Sequence, residues 1–231
     1  MSGAAVLIHG FGTSARLWDQ VLPLLRGEVR TLDLPGFGDS PDDRYSVDGM
    51  ADAVQERLAG LENFVLVGHS MGGKVAAVLA ARRPAGLSGL LLIAPSPLSP
   101  EPMTAQDRQA LKAAYGHPEL LTEHYRQITQ QPLSADGLAQ LVSDGMRGSQ
   151  AAWNAWPDSG SREDRATEAG RIEVPVSVLT SEDDPVISPQ VVAHHLLPSF
   201  PRAALTRLGG SGHLLPLELP AEVAAFISEK Q

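Results

Sequence analysis

The chain contains no cysteine among its 231 residues. This excludes disulfides, thiolate-ligated metals and a cysteine nucleophile. Basic side chains are also in deficit: 18 Lys and Arg stand against 27 Asp and Glu, for a net charge of −9. No basic stripe interrupts that balance, which argues against a nucleic-acid partner. No apolar run reaches the roughly 20 residues that a membrane-spanning helix needs. The opening Met-Ser-Gly-Ala-Ala-Val-Leu-Ile-His-Gly has neither the basic segment nor the long apolar core of a secretory signal. The expectation is a soluble cytoplasmic protein without a membrane partner. Neither HExxH nor a P-loop occurs, so the common zinc and nucleotide signatures are missing as well. What is present is an ordinary globular mixture, 43% hydrophobic and 19% charged, enough for one sizeable core carrying an insertion.

The most informative stretch is 64–83. Phe64 to Val67 is an apolar, β-rich run that stops at Gly68. Ser70 lies between Gly68 and Gly72, and an Ala/Val-rich helical run follows to Arg83, before Pro84. Strand, sharp turn and helix with G-x-S-x-G at the turn is the context of a nucleophile elbow, which exposes a serine hydroxyl on a strained turn. Side chains at either flanking glycine would crowd that turn. A helix start also leaves free N–H groups and a positive dipole end beside the serine. Lys74 and Arg82, further along the helix, are expected in solvent or in salt bridges.

A serine hydroxyl needs a base in hydrogen-bond reach, and the base needs an orienting carboxylate. Of seven histidines, His213 in Gly209-Gly210-Ser211-Gly212-His213 stands in a glycine-rich loop just past a predicted strand. His9 and His69 adjoin glycine and serine of tight turns and read as structural. The acid is sought in Glu182-Asp183-Asp184-Pro185, at the end of the preceding strand. Asp184 is the first choice because Pro185 biases it toward an extended conformation; Asp183 is the second. An oxyanion needs two convergent backbone donors. The N–H of Met71 follows the nucleophile, and the N–H of Phe11 lies in His9-Gly10-Phe11-Gly12 after the first strand.

The elements around these residues alternate. Strands are predicted at Ala4 to Ile8, Val29 to Leu34, Phe64 to Val67, Leu87 to Ile93, Val174 to Thr180 and Ala203 to Leu208. Helices are predicted after the first strand (through Leu17, Trp18, Val21, Leu22, Leu24 and Leu25), from the Ser46 cap, after Ser70, over 188–197 and from Pro220 to Ser228. Such β-α alternation predicts an α/β fold, a mostly parallel, doubly wound sheet with helices on both faces. Residues 98–171 break the pattern, with helical pieces at 104–115, 118–131, 134–147 and 149–155 and no convincing strand. They read as a helical insertion.

One rival uses the same first loop. Gly10-x-Gly12-x-x-Ala15 followed by Asp33 matches the spacing of a dinucleotide-binding fingerprint. A short-chain dehydrogenase would be expected to show Tyr-x-x-x-Lys, however, and no tyrosine here has a lysine four residues on. This NAD(P) reading also leaves Ser70 and the His213 loop unexplained, so Asp33 is better read as part of a structural turn.

Taken together, His9-Gly10-Phe11-Gly12, Asp33-Leu34-Pro35-Gly36-Phe37-Gly38-Asp39-Ser40, Gly68-His69-Ser70-Met71-Gly72-Gly73, Ser181-Glu182-Asp183-Asp184-Pro185 and Gly212-His213-Leu214-Leu215-Pro216-Leu217-Glu218-Leu219-Pro220 resemble the α/β-hydrolase superfamily in content and order. The resemblance implies a core of 1–97 and 172–231 with 98–171 as a helical cap over the site. It supports Asp184 as the acid. Two departures stand out: Ser181 replaces the usual glycine three residues before the acid, and the family's two leading antiparallel strands are missing, which leaves about six strands.

Within that family a serine, rather than an aspartate, argues against epoxide hydrolase and haloalkane dehalogenase chemistry. A carboxylesterase acting through Ser70, His213 and Asp184 on a small acyl substrate is the expectation, with no metal and no organic cofactor. A C–C bond hydrolase, lactonase or thioesterase, a cofactor-free haloperoxidase, and a hydroxynitrile lyase or receptor are alternative uses of the same residues. The expected assembly is a monomer or homodimer. Val186 and Leu214 flank the expected catalytic atoms, and the insertion offers Tyr125, Met146, Trp153 and Trp156 as pocket candidates, although tryptophans pack cores as readily as they line sites.

Overall fold

The computed structural model describes residues 3–41 and 43–230. Six strands form one sheet: β1 Ala4–Ile8, β2 Val29–Leu32, β3 Phe64–His69, β4 Leu87–Ile93, β5 Val176–Ser181 and β6 Ala204–Leu208. Their order across the sheet is β2-β1-β3-β4-β5-β6, and every neighbouring pair is parallel. β1 and β3 sit centrally and are buried along their whole length. Strands covered on both faces read as continuous apolar runs, as these do.

The two-residue period of each strand splits the core into two layers. Ala4, Val6 and Ile8 of β1 face the layer that holds α1 (Val47–Glu56) and α2 (Met71–Ala81). Ala5 and Leu7 face the other, which holds Leu17, Trp18 and α9 (Pro220–Ser228). α1 starts where the Ser46 hydroxyl accepts the Gly49 N–H, and its Val47, Met50, Ala51 and Val54 return every three to four residues to the buried face. α2 is buried on all sides, which its Ala, Val and Gly content permits. Each fully buried Leu, Val or Ile in these layers contributes ~1.5–3 kcal/mol relative to exposure.

Four helices lie between β4 and β5: α3 Ala105–Ala114, α4 Pro118–Gln127, α5 Ala135–Arg147 and α6 Gln150–Asp158. Three begin at hydroxyl caps, Thr104, Ser134 and Ser149, and Thr104 with Asp107 forms a reciprocal capping box. They are tied to the sheet layers by specific bonds. The Tyr125 hydroxyl donates to the Gly12 carbonyl at 2.6 Å. Asp144, buried, takes Arg16 Nε at 3.0 Å, and Arg147 pairs with Asp39 at 2.8 Å.

Several expectations need correction. The helix expected after β1 is two short 3₁₀ turns, Ala15–Trp18 and Leu22–Leu24; Pro23 has no N–H to continue an α-helix, and Ala15 N donates to Asp33 Oδ1 instead. β2 stops at Leu32 because the Leu34 N–H turns away to the His9 ring. β5 begins at Val176 rather than Val174, since Pro175 cannot donate to a ladder. The helix expected over 188–197 is one α turn, α7 Pro189–Val191, running into a π turn, Val192–Leu196. There the His194 ring hydrogen-bonds the Gln190 carbonyl at 2.9 Å. A short helix α8, Leu215–Glu218, precedes α9. Lys74 is fully buried instead of solvated: it lies on the all-buried α2 and donates Nζ to the Glu163 carbonyl at 2.6 Å. Arg82 pairs with Asp48 and Asp52 as expected.

Candidate active site

Ser70 stands between the end of β3 and the first turn of α2, with φ 51° and ψ −122°. A non-glycine residue in that region is strained, and the surroundings hold it there. Its N–H donates to the Ile93 carbonyl at 3.1 Å, and its own carbonyl accepts from Gly73 at 2.8 Å and Ser96 at 3.0 Å. A Cβ at Gly68 would run into the Gly72 carbonyl, and one at Gly72 into the His9 carbonyl. Only glycine lets the turn close this tightly between β3, α2 and the end of β1.

The loop after β6 brings His213 over Ser70. The Ser70 hydroxyl is 2.8 Å from His213 Nε2, and His213 Nδ1 is 2.8 Å from Asp184 Oδ2. The carboxylate can only accept, so Nδ1 carries the proton and Nε2 is free to receive the serine's. Asp184 Oδ1 accepts the Val186 and Ile187 N–H groups at 2.7 and 2.9 Å. All three side chains are buried, with exposures of 8% for Ser70, 3% for Asp184 and 5% for His213. Burial disfavours charge on both partners of the His213–Asp184 pair, and each partner offsets that penalty for the other. The His213 pKa is raised by the Asp184 charge and hydrogen bond, and the Asp184 pKa is lowered by His213 and the two N–H donors.

Asp183, the second choice for the acid, faces elsewhere and accepts the Gly210 N–H at 2.6 Å. Ser181, the departure noted in the sequence, donates its hydroxyl to the Ser211 carbonyl and so braces the same loop. His69 Nε2 donates to the His213 carbonyl at 2.9 Å, and burial lowers its pKa to about 3, which keeps it neutral. The His9 ring accepts the Leu34 N–H through Nε2, leaving Nδ1 to donate to Gly10 at 2.8 Å. Asp33 spends its carboxylate on the Ala15 and Asp39 N–H groups, as a turn residue does.

The N–H groups of Phe11 and Met71 donate to no protein acceptor among the described residues. The Phe11 ring packs on Trp153 with centroids 4.5 Å apart.

A cavity of about 720 Å³ lies between α3, α4 and the loop after β5. Its wall includes Val186 and Ile187, which bind Asp184, and Ile128, whose carbonyl takes the His213 N–H at 2.7 Å. Ser70 and His213 do not line it directly. Of the six pocket candidates only Val186 does. Tyr125, Trp153 and Leu214 form a buried cluster against Phe11, Trp156 joins the main core with α6, and Met146 is 38% exposed.

Glu218 is a further residue at the site, beyond those expected from the sequence. Its Oε2 accepts N–H groups from Gln130, Gln131 and Gly212 at 2.8–2.9 Å, and Oε1 accepts Leu214 N at 3.1 Å. It clamps the His213 loop to the end of α4. The signal was a lone acid within the apolar Leu214-Leu215-Pro216-Leu217-Glu218-Leu219.

Known proteins match this chain along its length. A pimeloyl-[acyl-carrier protein] methyl ester esterase from Aeromonas hydrophila is 40% identical over 97 residues, which is 40% of this chain and 37% of that protein. The next two relatives are matched over only 18% and 17% of their length, so the chain spans well under half of these proteins. A protein of the same name from Aromatoleum aromaticum is 27% identical over 97% of this chain and 96% of its own. A crystal structure of a membrane phospholipase A superposes with a TM-score of 0.82 at 28% identity, covering 99% of this chain and 79% of that one. Residues 5–226 match the alpha/beta hydrolase family. The parallel six-stranded sheet, the glycine-flanked turn at Ser70 and this match together place the chain in the α/β hydrolase family.

Proposed function

We propose that this α/β hydrolase is a serine carboxylesterase. The observation that carries the reading is the continuous hydrogen-bonded line from Ser70 Oγ through His213 to Asp184. In it, His213 removes the Ser70 proton as Oγ attacks an ester carbonyl carbon. The oxyanion that forms is held by the N–H groups of Phe11 and Met71, which lack protein acceptors. His213 then passes its proton to the leaving alkoxide, which departs as the alcohol. It next takes a proton from water, whose oxygen attacks the acyl carbon, and returns that proton to Ser70 Oγ as the carboxylic acid leaves. Asp184 fixes the tautomer and stabilises the imidazolium; it keeps its own charge throughout.

Relatives whose names specify methyl ester hydrolysis support an ester with a small alcohol as substrate. Residues 98–171 serve as the cap that admits it, and the cavity between α3, α4 and Val186 takes its acyl chain. Purified protein is expected to hydrolyse p-nitrophenyl butyrate and simple methyl esters, and Ser70→Ala to lose at least ~10³-fold in kcat. Hydrolysis retained in Ser70→Ala, with clean background, would refute the reading.

A further inference from the structure

Glu101 is an anomaly. It lies between β4 and α3, is only 8% exposed, and forms part of the cavity wall. Among the described residues no ion pair reaches its carboxylate. The backbone around it is well ordered, since its N–H donates to the Ser161 carbonyl at 2.8 Å and its carbonyl takes Arg108 Nη2 at 3.3 Å. A side chain that costly to bury has only the neutral Ser96 hydroxyl as a donor beside it, with no cation in contact among the described residues.

Its neighbours deepen the point. Beside the carboxylate lies the Ser96 hydroxyl, 3% exposed, which has no other hydrogen-bond partner among the described residues. Ser96 is joined to the nucleophile, because its N–H donates to the Ser70 carbonyl. Lys74 is near enough to temper the charge, yet its Nζ is committed to the Glu163 and Ser99 carbonyls at 2.6 and 3.4 Å. Burial pushes the Glu101 carboxyl above its ordinary range, against the Ser96 hydrogen bond and the charges of Lys74, His213 and Arg108.

The rest of the cavity carries the same sign. Asp107 and Glu123 stand in its wall, and among the described residues its lining has no lysine or arginine. His124 also lines it, but burial and the His213 charge lower its pKa to about 4, so it is neutral at pH 7. A ligand carboxylate would find no cation here. A ligand donor would find the Glu101 carboxylate in the wall.

We infer that Glu101 is the polar end of the substrate pocket and selects esters whose acyl chain ends in a hydrogen-bond donor, an ammonium or hydroxyl group, over those ending in a carboxylate. The inference rests on the esterase reading above and names the substrate class of that site. The ammonium or hydroxyl supplies Glu101 with a donor beyond Ser96, whereas a carboxylate adds like-charge repulsion to its own desolvation.

Binding to Ser70→Ala protein, measured by calorimetry, tests this without turnover. The ligands are methyl 6-aminohexanoate, methyl 6-hydroxyhexanoate and monomethyl adipate, which differ only at the far end. The amino and hydroxy esters are expected to bind at least about tenfold more tightly than the adipate, and Glu101→Gln in the same background to shrink that gap to about twofold or less. Glu101→Asp, which keeps the charge, preserves the ranking and guards against a folding defect in the glutamine variant. Adipate binding as tight as the amino ester, no saturable binding of the amino ester, or an undiminished gap in Glu101→Gln would each overturn the inference. Failure of the esterase reading shows separately, as wild-type protein that hydrolyses none of the three.

Discussion

The Tyr125 hydroxyl, carried by α4, donates to the carbonyl of Gly12, one residue beyond Phe11. The bond is buried at both ends and links the helices between β4 and β5 to the loop that carries a proposed oxyanion donor. Tyr125→Phe keeps the ring and strands the Gly12 carbonyl. It is expected to lower stability by about 1–3 kcal/mol and kcat several-fold more than it raises KM, because Phe11 N–H loses its anchor. Chemical denaturation and steady-state kinetics on one preparation check both; unchanged kcat would mean that the loop is held by other contacts.

The His213–Asp184 pair sets the pH response. His213 acts as base only when neutral, and its pKa is raised above 6.5 by Asp184. The acid limb of kcat/KM is therefore expected to have its midpoint above pH 6.5, with activity falling as the pH drops through it. Asp184→Asn removes the charge that raises the pKa, so the limb moves to lower pH while kcat drops by about 10³–10⁴-fold. A limb that stays put in the asparagine variant would assign it to another group.

Glu218 is expected to act through His213 rather than on substrate. Glu218→Ala frees four N–H groups, including those of Gly212 and Leu214 on either side of the histidine. We expect a kcat loss of about 10-fold or more with little change in KM, since positioning errors near 1 Å cost up to 10²-fold. Glu218→Gln keeps one oxygen acceptor and restores part of the loss. Equal losses in both variants would point to the charge instead of the clamp.

Much of this was legible in the chain. Continuous apolar runs such as Phe64 to Val67 gave the buried parallel strands, and the glycines around Ser70 gave the turn, because both follow from local sterics. What failed to show was decided at a distance. Lys74 reads as a solvent residue until α2 is seen to be buried on every side, and its partners, Ser99 and Glu163, are 25 and 89 residues away. Glu101 looks like any loop acid after Pro100. Pro23 is a local signal against the helix expected after β1, since it has no N–H to donate. Trp156 and Met146 had the composition of pocket residues, but helix rotation turned one into the core and the other outward.

Lys74 yields a stability test. Burial lowers its pKa from 10.5 to about 8, so the fold disfavours its charged form. Between those values the unfolded chain holds more proton than the folded one, and stability gains as pH rises. Relative to Lys74→Met, the wild type is expected to gain up to ~3 kcal/mol between pH 8 and 10.5. Denaturant titrations of both proteins across that range check it. Parallel curves would show that the lysine titrates as it does in solvent.

The central claim is that Ser70 is the nucleophile, and a covalent intermediate tests it most directly. Protein mixed with p-nitrophenyl butyrate, quenched in acid within the first turnover and analysed by intact and peptide mass spectrometry, is expected to carry one butyryl group on the peptide containing Ser70. The group should be absent from Ser70→Ala and should persist longer in His213→Ala protein acylated with a more reactive ester. Ester hydrolysis that proceeds with no acyl group on Ser70, or with the group on another residue, would contradict the account.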